Sequence, residues 1–294
     1  MPQNSRENLN LVTSRPFVDG SALPPQPAYV MGHDDHERRR LALQATILNP
    51  FTEQLLRRAG ISTGMHVLDL GCGIGDVSLM AARLVGRHGS VTAIDIDPKA
   101  LAIAADRARE QALGNLQFVE GGLDQYQPER TFNAVIGRHI VGHSQDPLTI
   151  VSKAYEWLSP GGLAAFQEYD FSTVHAAYPA CPLRDRIMAV FRDFFGTMVH
   201  GNIGTRLPHL LLEARFRAPD CRVEYPMDVG LDSPFYEWLA ESFRSIAPRA
   251  QAAGLVEEFE FDLDALEEQL RQEAAPRNAG VPGPTMTGCF ARKP

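Results

Sequence analysis

Val67-Leu68-Asp69-Leu70-Gly71-Cys72-Gly73-Ile74-Gly75-Asp76-Val77 is the stretch on which the rest of the chain is hung. The apolar run from His66 to Leu70 has the length of a buried strand, three alternating glycines mark a tight turn, and Asp76 to Leu84 takes up helical spacing. Glycine serves where a backbone must bend sharply and admit a ligand without Cβ atoms in the way, and the first amides of the following helix have no partner within it. A polar ligand is expected there. The spacing is G-x-G-x-G with Asp69 two residues before the first glycine, not the G-x-G-x-x-G of a dinucleotide fingerprint. A second strand, Ser90 to Ile96, carries Asp95 about twenty residues past the loop, where a doubly wound sheet places the acid that binds ribose hydroxyls.

With VLDLGCGIG, TAIDIDP and, further on, LSPGGLAAFQEYD, the chain resembles the class I S-adenosylmethionine-dependent methyltransferases that act on small molecules, well over residues 60–172 and loosely elsewhere. The resemblance implies an α/β, Rossmann-like, doubly wound seven-stranded sheet whose last strand runs antiparallel between strands five and six. It implies that Gly71, Cys72, Gly73 and Gly75 lie against the methionine part of S-adenosylmethionine, that Asp95 holds both ribose hydroxyls, and that Asp69 meets the amino end directly or through water. Ile96, Leu123 and Arg138 complete the implied cofactor set. Many family members carry an Asp directly after a single glycine at the end of strand three to read adenine. This chain has Gly122 there, so either Asp124 takes over or backbone and apolar contacts alone hold the ring.

Composition fits an enzyme working on small molecules. The chain has 294 residues, 44% of them apolar, and 28 Lys plus Arg against 36 Asp plus Glu give a net charge of -8, which argues against nucleic acid or an anionic membrane as main partner. The one basic run, Arg38-Arg39-Arg40, reads as the solvated face of a helix. Cys72, Cys181, Cys221 and Cys289 have no paired spacing, so the expectation is four reduced thiols, no metal site and a cytoplasmic protein. No signal-peptide pattern opens the chain and no apolar run has the length of a membrane span.

In order, residues 1–28 read as an extended Pro-rich arm and residues 29–60 as a helical cap of two helices, the second opened by Asn49-Pro50 and stopped at Gly60. Residues 61–172 form the cofactor-binding core, and residues 173–294 the remaining strands with a helical insertion that acts as a substrate lid. Asp97-Pro98 and Asp146-Pro147 cap two further helices, Leu116 to Glu120 is the third strand, and Arg222 to Val229 the sixth. Leu183 to Val199, Arg206 to Ala214, a segment after Ser233-Pro234, and Leu255 to Ala274 are expected as helices. The family's habit of folding N-terminal helices over the cofactor makes Tyr29, His33 and Gln44 candidates for its methionine end or for the acceptor.

Thr131 to Gly137 is the fourth strand, and Arg138-His139-Ile140-Val141-Gly142-His143 follows at its carboxyl end, the edge where open parallel sheets bind ligands. A neutral imidazole there can take a proton as a methyl group moves, which makes His139 or His143 a candidate general base. At the end of the fifth strand, Glu168 is expected to orient or deprotonate the acceptor. The function expected is methyl transfer from S-adenosylmethionine to O, N or C of a small organic molecule. The alternatives are a protein that binds the cofactor without transfer and a nicotinamide oxidoreductase. The oligomeric state is left open, a homodimer included.

Overall fold

The computed structural model describes residues 35–198, 200–258 and 260–294. Tyr29 and His33 therefore lie outside the described residues. In chain order the elements are α1 (Asp35–Ala59), β1 (His66–Leu70), α2 (Asp76–Val85), β2 (Ser90–Asp95), α3 (Pro98–Glu110), β3 (Leu116–Glu120), β4 (Phe132–Arg138), α4 (Pro147–Trp157) and β5 (Leu158–Asp170). There follow α5 (Pro182–Gly196), α6 (Ile203–Glu213), β6 (Arg217–Glu224), β7 (Met227–Asp228), α7 (Phe235–Ala252), α8 (Leu266–Ala274), β8 (Val281–Pro282) and β9 (Thr285–Arg292).

Seven strands form one sheet in the order β3-β2-β1-β4-β5-β9-β6, parallel except for β9, which pairs antiparallel with both neighbours. This is the expected Rossmann-like sheet. Strands β1, β4 and β5 are buried on both faces, which is why they read as nearly unbroken apolar runs rather than alternating ones. One face is covered by α2 and the second half of α1, through Leu56, Ala59, Val77, Ala81 and Val85. The other face is covered by α4 and α6, through Val151, Ala154, Leu207 and Leu211.

A second apolar cluster joins α5, α7 and α8 to the first half of α1, with Leu48, Ile187, Phe191, Trp238, Phe243 and Leu270 among its buried members. These helices enter by two routes, α5 between β5 and α6, and α7 with α8 between β6 and β9. Helix α1 thus belongs to both layers, and it crosses the carboxyl ends of β4 and β5 on the way.

Four expectations are corrected. The cap is one helix, because Pro50 sits inside α1; Asn49, read as an N-cap, instead accepts a hydrogen bond from Arg138 Nη1 at 3.0 Å. Proline removes one helical hydrogen bond, but α1 packs on both of its halves and runs through it. The acidic stretch after Leu255 is helical only from Leu266, and the sixth strand is Arg217–Glu224, ahead of Pro226. The cysteines are not all thiols: Cys221 and Cys289 face each other across β6 and β9, Cα–Cα 4.1 Å, and form a disulfide, while Cys72 and Cys181 are free and buried. Spacing along the chain carries no trace of strand register, so this pairing was not legible. No helix among the described residues is long and apolar enough to cross a membrane.

Candidate active site

All three loop glycines adopt left-handed backbone, with φ of 64° at Gly71, 52° at Gly73 and 86° at Gly75. A Cβ would fall 2.5 Å from Ile140 Cδ1 at Gly71 and 2.9 Å from Ala104 Cβ at Gly75, whereas at Gly73 it would meet nothing within 4 Å. The outer two glycines are therefore fixed by packing, and the middle one lines open space. Arg107 holds the loop onto α3, donating to Ile74 O at 2.6 Å and to Asp76 Oδ1 at 2.7 Å.

Asp95, at the end of β2, accepts hydrogen bonds from Gly73 N at 2.7 Å and Asp97 N at 2.9 Å, so its carboxylate is locked beside the loop. The next residue, Ile96, is 72% exposed although it follows a buried strand. An apolar side chain standing free beside an anchored carboxylate suits a ring on one side and sugar hydroxyls on the other. At the end of β3 a Cβ on Gly122 would meet nothing within 4 Å, Leu123 is half-buried, and Asp124 turns to solvent 3.9 Å from Lys153 Nζ. Cys72 is buried and its amide bonds Ile94 O at 2.9 Å; burial pushes its thiol up, out of reach of ionisation.

Asp69 lies beneath the loop, 1% exposed, and accepts a hydrogen bond from Ser78 Oγ at 2.5 Å. Burial pushes its carboxyl up to about 7. Asp69, Asp76 and Asp95 surround the loop with acids, an arrangement that repels a pyrophosphate and tolerates a ligand carrying positive charge.

At the ends of β4 and β5 the polar groups converge under α1. Arg138 donates to Asn49 Oδ1 and Thr52 Oγ1, each at 3.0 Å, and Thr52 Oγ1 donates to Gln167 Oε1 at 2.6 Å. Arg40 Nη1 donates to Gln44 Oε1 at 2.8 Å, and Gln44 Nε2 lies 3.5 Å from His139 Nδ1. His139 has the left-handed φ of 56°, rare outside glycine, is held by its amide bonding Gln167 O at 2.9 Å, and stacks on Tyr169 with ring centroids 4.0 Å apart. Burial, and then the charge of Arg138, hold its imidazole well below the usual range; burial and Arg40 bring His143 down to about 4. Both rings are neutral at pH 7. The His143 side chain is exposed.

Glu168 was expected to face the acceptor and instead holds the chain. Its Oε1 accepts from Ile140 N at 2.9 Å and Val141 N at 2.8 Å, its Oε2 from Gly142 N at 3.4 Å, and the residue is 2% exposed. Burial outweighs these three amides and pushes its carboxyl up to about 7. Asp170 is committed in the same way, to Ser172 N and to Thr205 N and Oγ1. Arg40, read as part of a solvated helix face, is buried and bonds Gln44. Sequence reasoning missed Thr52, which sits on a helix read by its apolar side, and it gave Tyr169 and Trp238 no role.

Residues 67–162 match the family described as methyltransferase domain. Over 108 residues, 36% of this chain and 43% of the relative, it is 32% identical to a demethylmenaquinone methyltransferase of Lactococcus lactis subsp. lactis (strain IL1403). Over 130 residues, 44% of this chain and 46% of the relative, it is 29% identical to a mitochondrial ubiquinone biosynthesis O-methyltransferase of Schizosaccharomyces pombe. The chain thus spans a little under half the length of these curated relatives. Among solved structures, phosphoethanolamine N-methyltransferase 2 of Haemonchus contortus superposes with a TM-score of 0.53 at 18% identity, covering 88% of this chain and 59% of that one, a likeness of fold.

Proposed function

We propose, from the match of residues 67–162 to a methyltransferase domain, that the protein transfers the methyl group of S-adenosylmethionine to a small organic acceptor. The observation that carries this is the pairing of Asp95 with the Gly73 amide beside the exposed Ile96, on a loop ringed by acids. The residues fit the cofactor: Asp95 for the ribose hydroxyls, Gly71 to Gly75 with Cys72 for the methionine backbone, and Ile96 and Leu123 for the two faces of adenine. Gly122 and Asp124 stand at its rim. Asp69, bonded by Ser78 of α2, would meet the amino end, and Arg138 and Gln44 would serve the carboxylate end.

The cofactor when bound supplies a methyl group on a positively charged sulfur, an activated electrophile with a good leaving group. What remains for the protein is to align the acceptor, exclude water and, where the acceptor carries a proton, remove it. Glu168 fixes the loop of residues 140–142 and so acts as a positioning residue. His143, neutral and exposed just past the end of β4, is the group we assign to proton removal. The helices α5, α7 and α8 form the proposed lid over the acceptor.

Calorimetric titration with S-adenosylmethionine, S-adenosylhomocysteine and NADH tests the reading. Binding of the first two and not the third is the expected result; binding of NADH alone would overturn it.

A further inference from the structure

Four buried polar side-chain atoms around the aromatic cluster above β5 have no hydrogen-bond partner among the described residues: His139 Nε2, Tyr169 OH, Trp238 Nε1 and Ser242 Oγ. They belong together. The His139 ring stacks on Tyr169, the Tyr169 and Trp238 ring centroids are 6.3 Å apart, and Ser242 follows Trp238 by one turn on the same face of α7. Leaving a buried polar atom unpaired forfeits its hydration without return, so four in one cluster are unexpected in a site that serves packing alone.

The chemistry of these groups is one-sided. Indole nitrogen only donates. The tautomer of His139 follows from the contacts behind it: an arginine only donates, so Arg40 on Gln44 Oε1 leaves Gln44 Nε2 pointing at His139 Nδ1 as a donor. Nδ1 must then accept, and the neutral ring carries its proton on Nε2, the unpartnered nitrogen. His139 is therefore a hydrogen-bond donor toward the cluster and not the general base that its sequence position suggests. The hydroxyls of Tyr169 and Ser242 can donate as well. The positive charges of Arg40 and Arg138 bear on both His139 and Tyr169, while Glu168, the carboxylate on the same strand, is occupied by backbone amides.

We infer that these donors form the anchoring subsite for the methyl acceptor, and that the acceptor carries an oxyanion, a carboxylate above all, on a flat apolar body. The inference rests on the proposed methyltransferase reading and names its substrate class. Aromatic walls from Phe171, Tyr169 and Trp238 suit the apolar body. Donors and positive charge stabilise an oxyanion and lower its nucleophilicity, so the oxygen they hold is the handle, and the atom that receives the methyl is a different one.

The test uses the full chain, with and without saturating S-adenosylhomocysteine, and three probes of one shape: benzoate, benzyl alcohol and benzylamine. Benzoate is expected to bind at least about tenfold more tightly than benzyl alcohol, with benzylamine weakest. Tyr169→Phe removes one unpartnered hydroxyl; it should raise the thermal stability of the free protein yet weaken benzoate binding about five- to tenfold, with S-adenosylhomocysteine affinity unchanged. A merely structural hydroxyl would not move stability and binding in opposite directions. Nitrogen-15 spectra should show His139 protonated at Nε2. Benzylamine binding as well as benzoate, no saturable carboxylate binding in the millimolar range, or a His139 proton on Nδ1 would each overturn the inference. An equal loss of S-adenosylhomocysteine affinity in Tyr169→Phe would assign the donors to the cofactor carboxylate instead. Failure of S-adenosylhomocysteine to bind at all sinks the methyltransferase reading separately, since benzoate is measured with and without it.

Discussion

Replacing Glu168 separates a carboxylate that does chemistry from one that holds a loop. In Glu168→Ala the amides of Ile140 and Val141, now bonded at 2.9 and 2.8 Å, lose their acceptor inside the protein. At about 1–3 kcal/mol for each unpaired buried donor, the loss is roughly 2–6 kcal/mol, and a chain of this size should melt about 2–4 °C lower per kcal/mol. Glu168→Gln keeps an acceptor for those two amides and turns an NH2 group toward Gly142 N, so its cost at acid pH is only about 1–2 kcal/mol. The difference should then reverse with pH. The folded carboxyl is raised to about 7 from an ordinary 4.5, so folding of the wild type takes up a proton between those values and loses stability as pH rises through the window. The shift corresponds to about 3 kcal/mol, none of which the amide bears. Urea unfolding of both proteins from pH 4.5 to 8 should therefore show the Gln variant gaining on the wild type by roughly that amount. A gap that stays constant with pH would refute the buried, neutral carboxyl. An alanine variant that loses less than about 1 kcal/mol would refute the anchoring itself.

Asp95→Ala should weaken S-adenosylhomocysteine binding about ten- to a hundredfold, through lost charge-assisted hydrogen bonds and a loosened Gly73; unchanged calorimetric affinity in a folded variant would remove Asp95 from the site. The glycines should divide by role. Gly75→Ala drives a Cβ to 2.9 Å from Ala104 and should lower the melting temperature more than Gly73→Ala, which bears only the left-handed backbone cost of about 1–2 kcal/mol and should chiefly impair ligand binding. Equal stabilities would contradict that division. Reducing the Cys221–Cys289 bridge, which closes a loop with a sequence separation of 68, should cost up to about 4 kcal/mol by loop entropy. Titration of four thiols in the unfolded but unreduced protein would show that the bridge is not formed.

The glycine loop and the elements around it were legible because their constraints are local. Gly71, Gly73 and Gly75 need backbone that other residues avoid, Asp95 closes a strand, and Asp97-Pro98 opens a helix, with the Asp97 side chain accepting from Lys99 N as its residue type requires. Each of those facts lives within a few residues of sequence. The order of the strands and the place of β9 came from the family resemblance, which carries topology that hydrophobic period cannot. The acceptor side has no such local marks. Tyr169 and Trp238 are 69 positions apart and look like core at their own spacing; they become a recognition surface only because α7 packs against the end of β5, and because no group among the described residues bonds their polar ends. The same holds for His139, whose sequence position beside a strand end suggests a base and whose contacts through Gln44 to Arg40 make it a donor. A residue's type states which hydrogen bonds it can make, and only the tertiary structure states which of them are already spent. The chemistry of this acceptor site is set by the bonds left unspent.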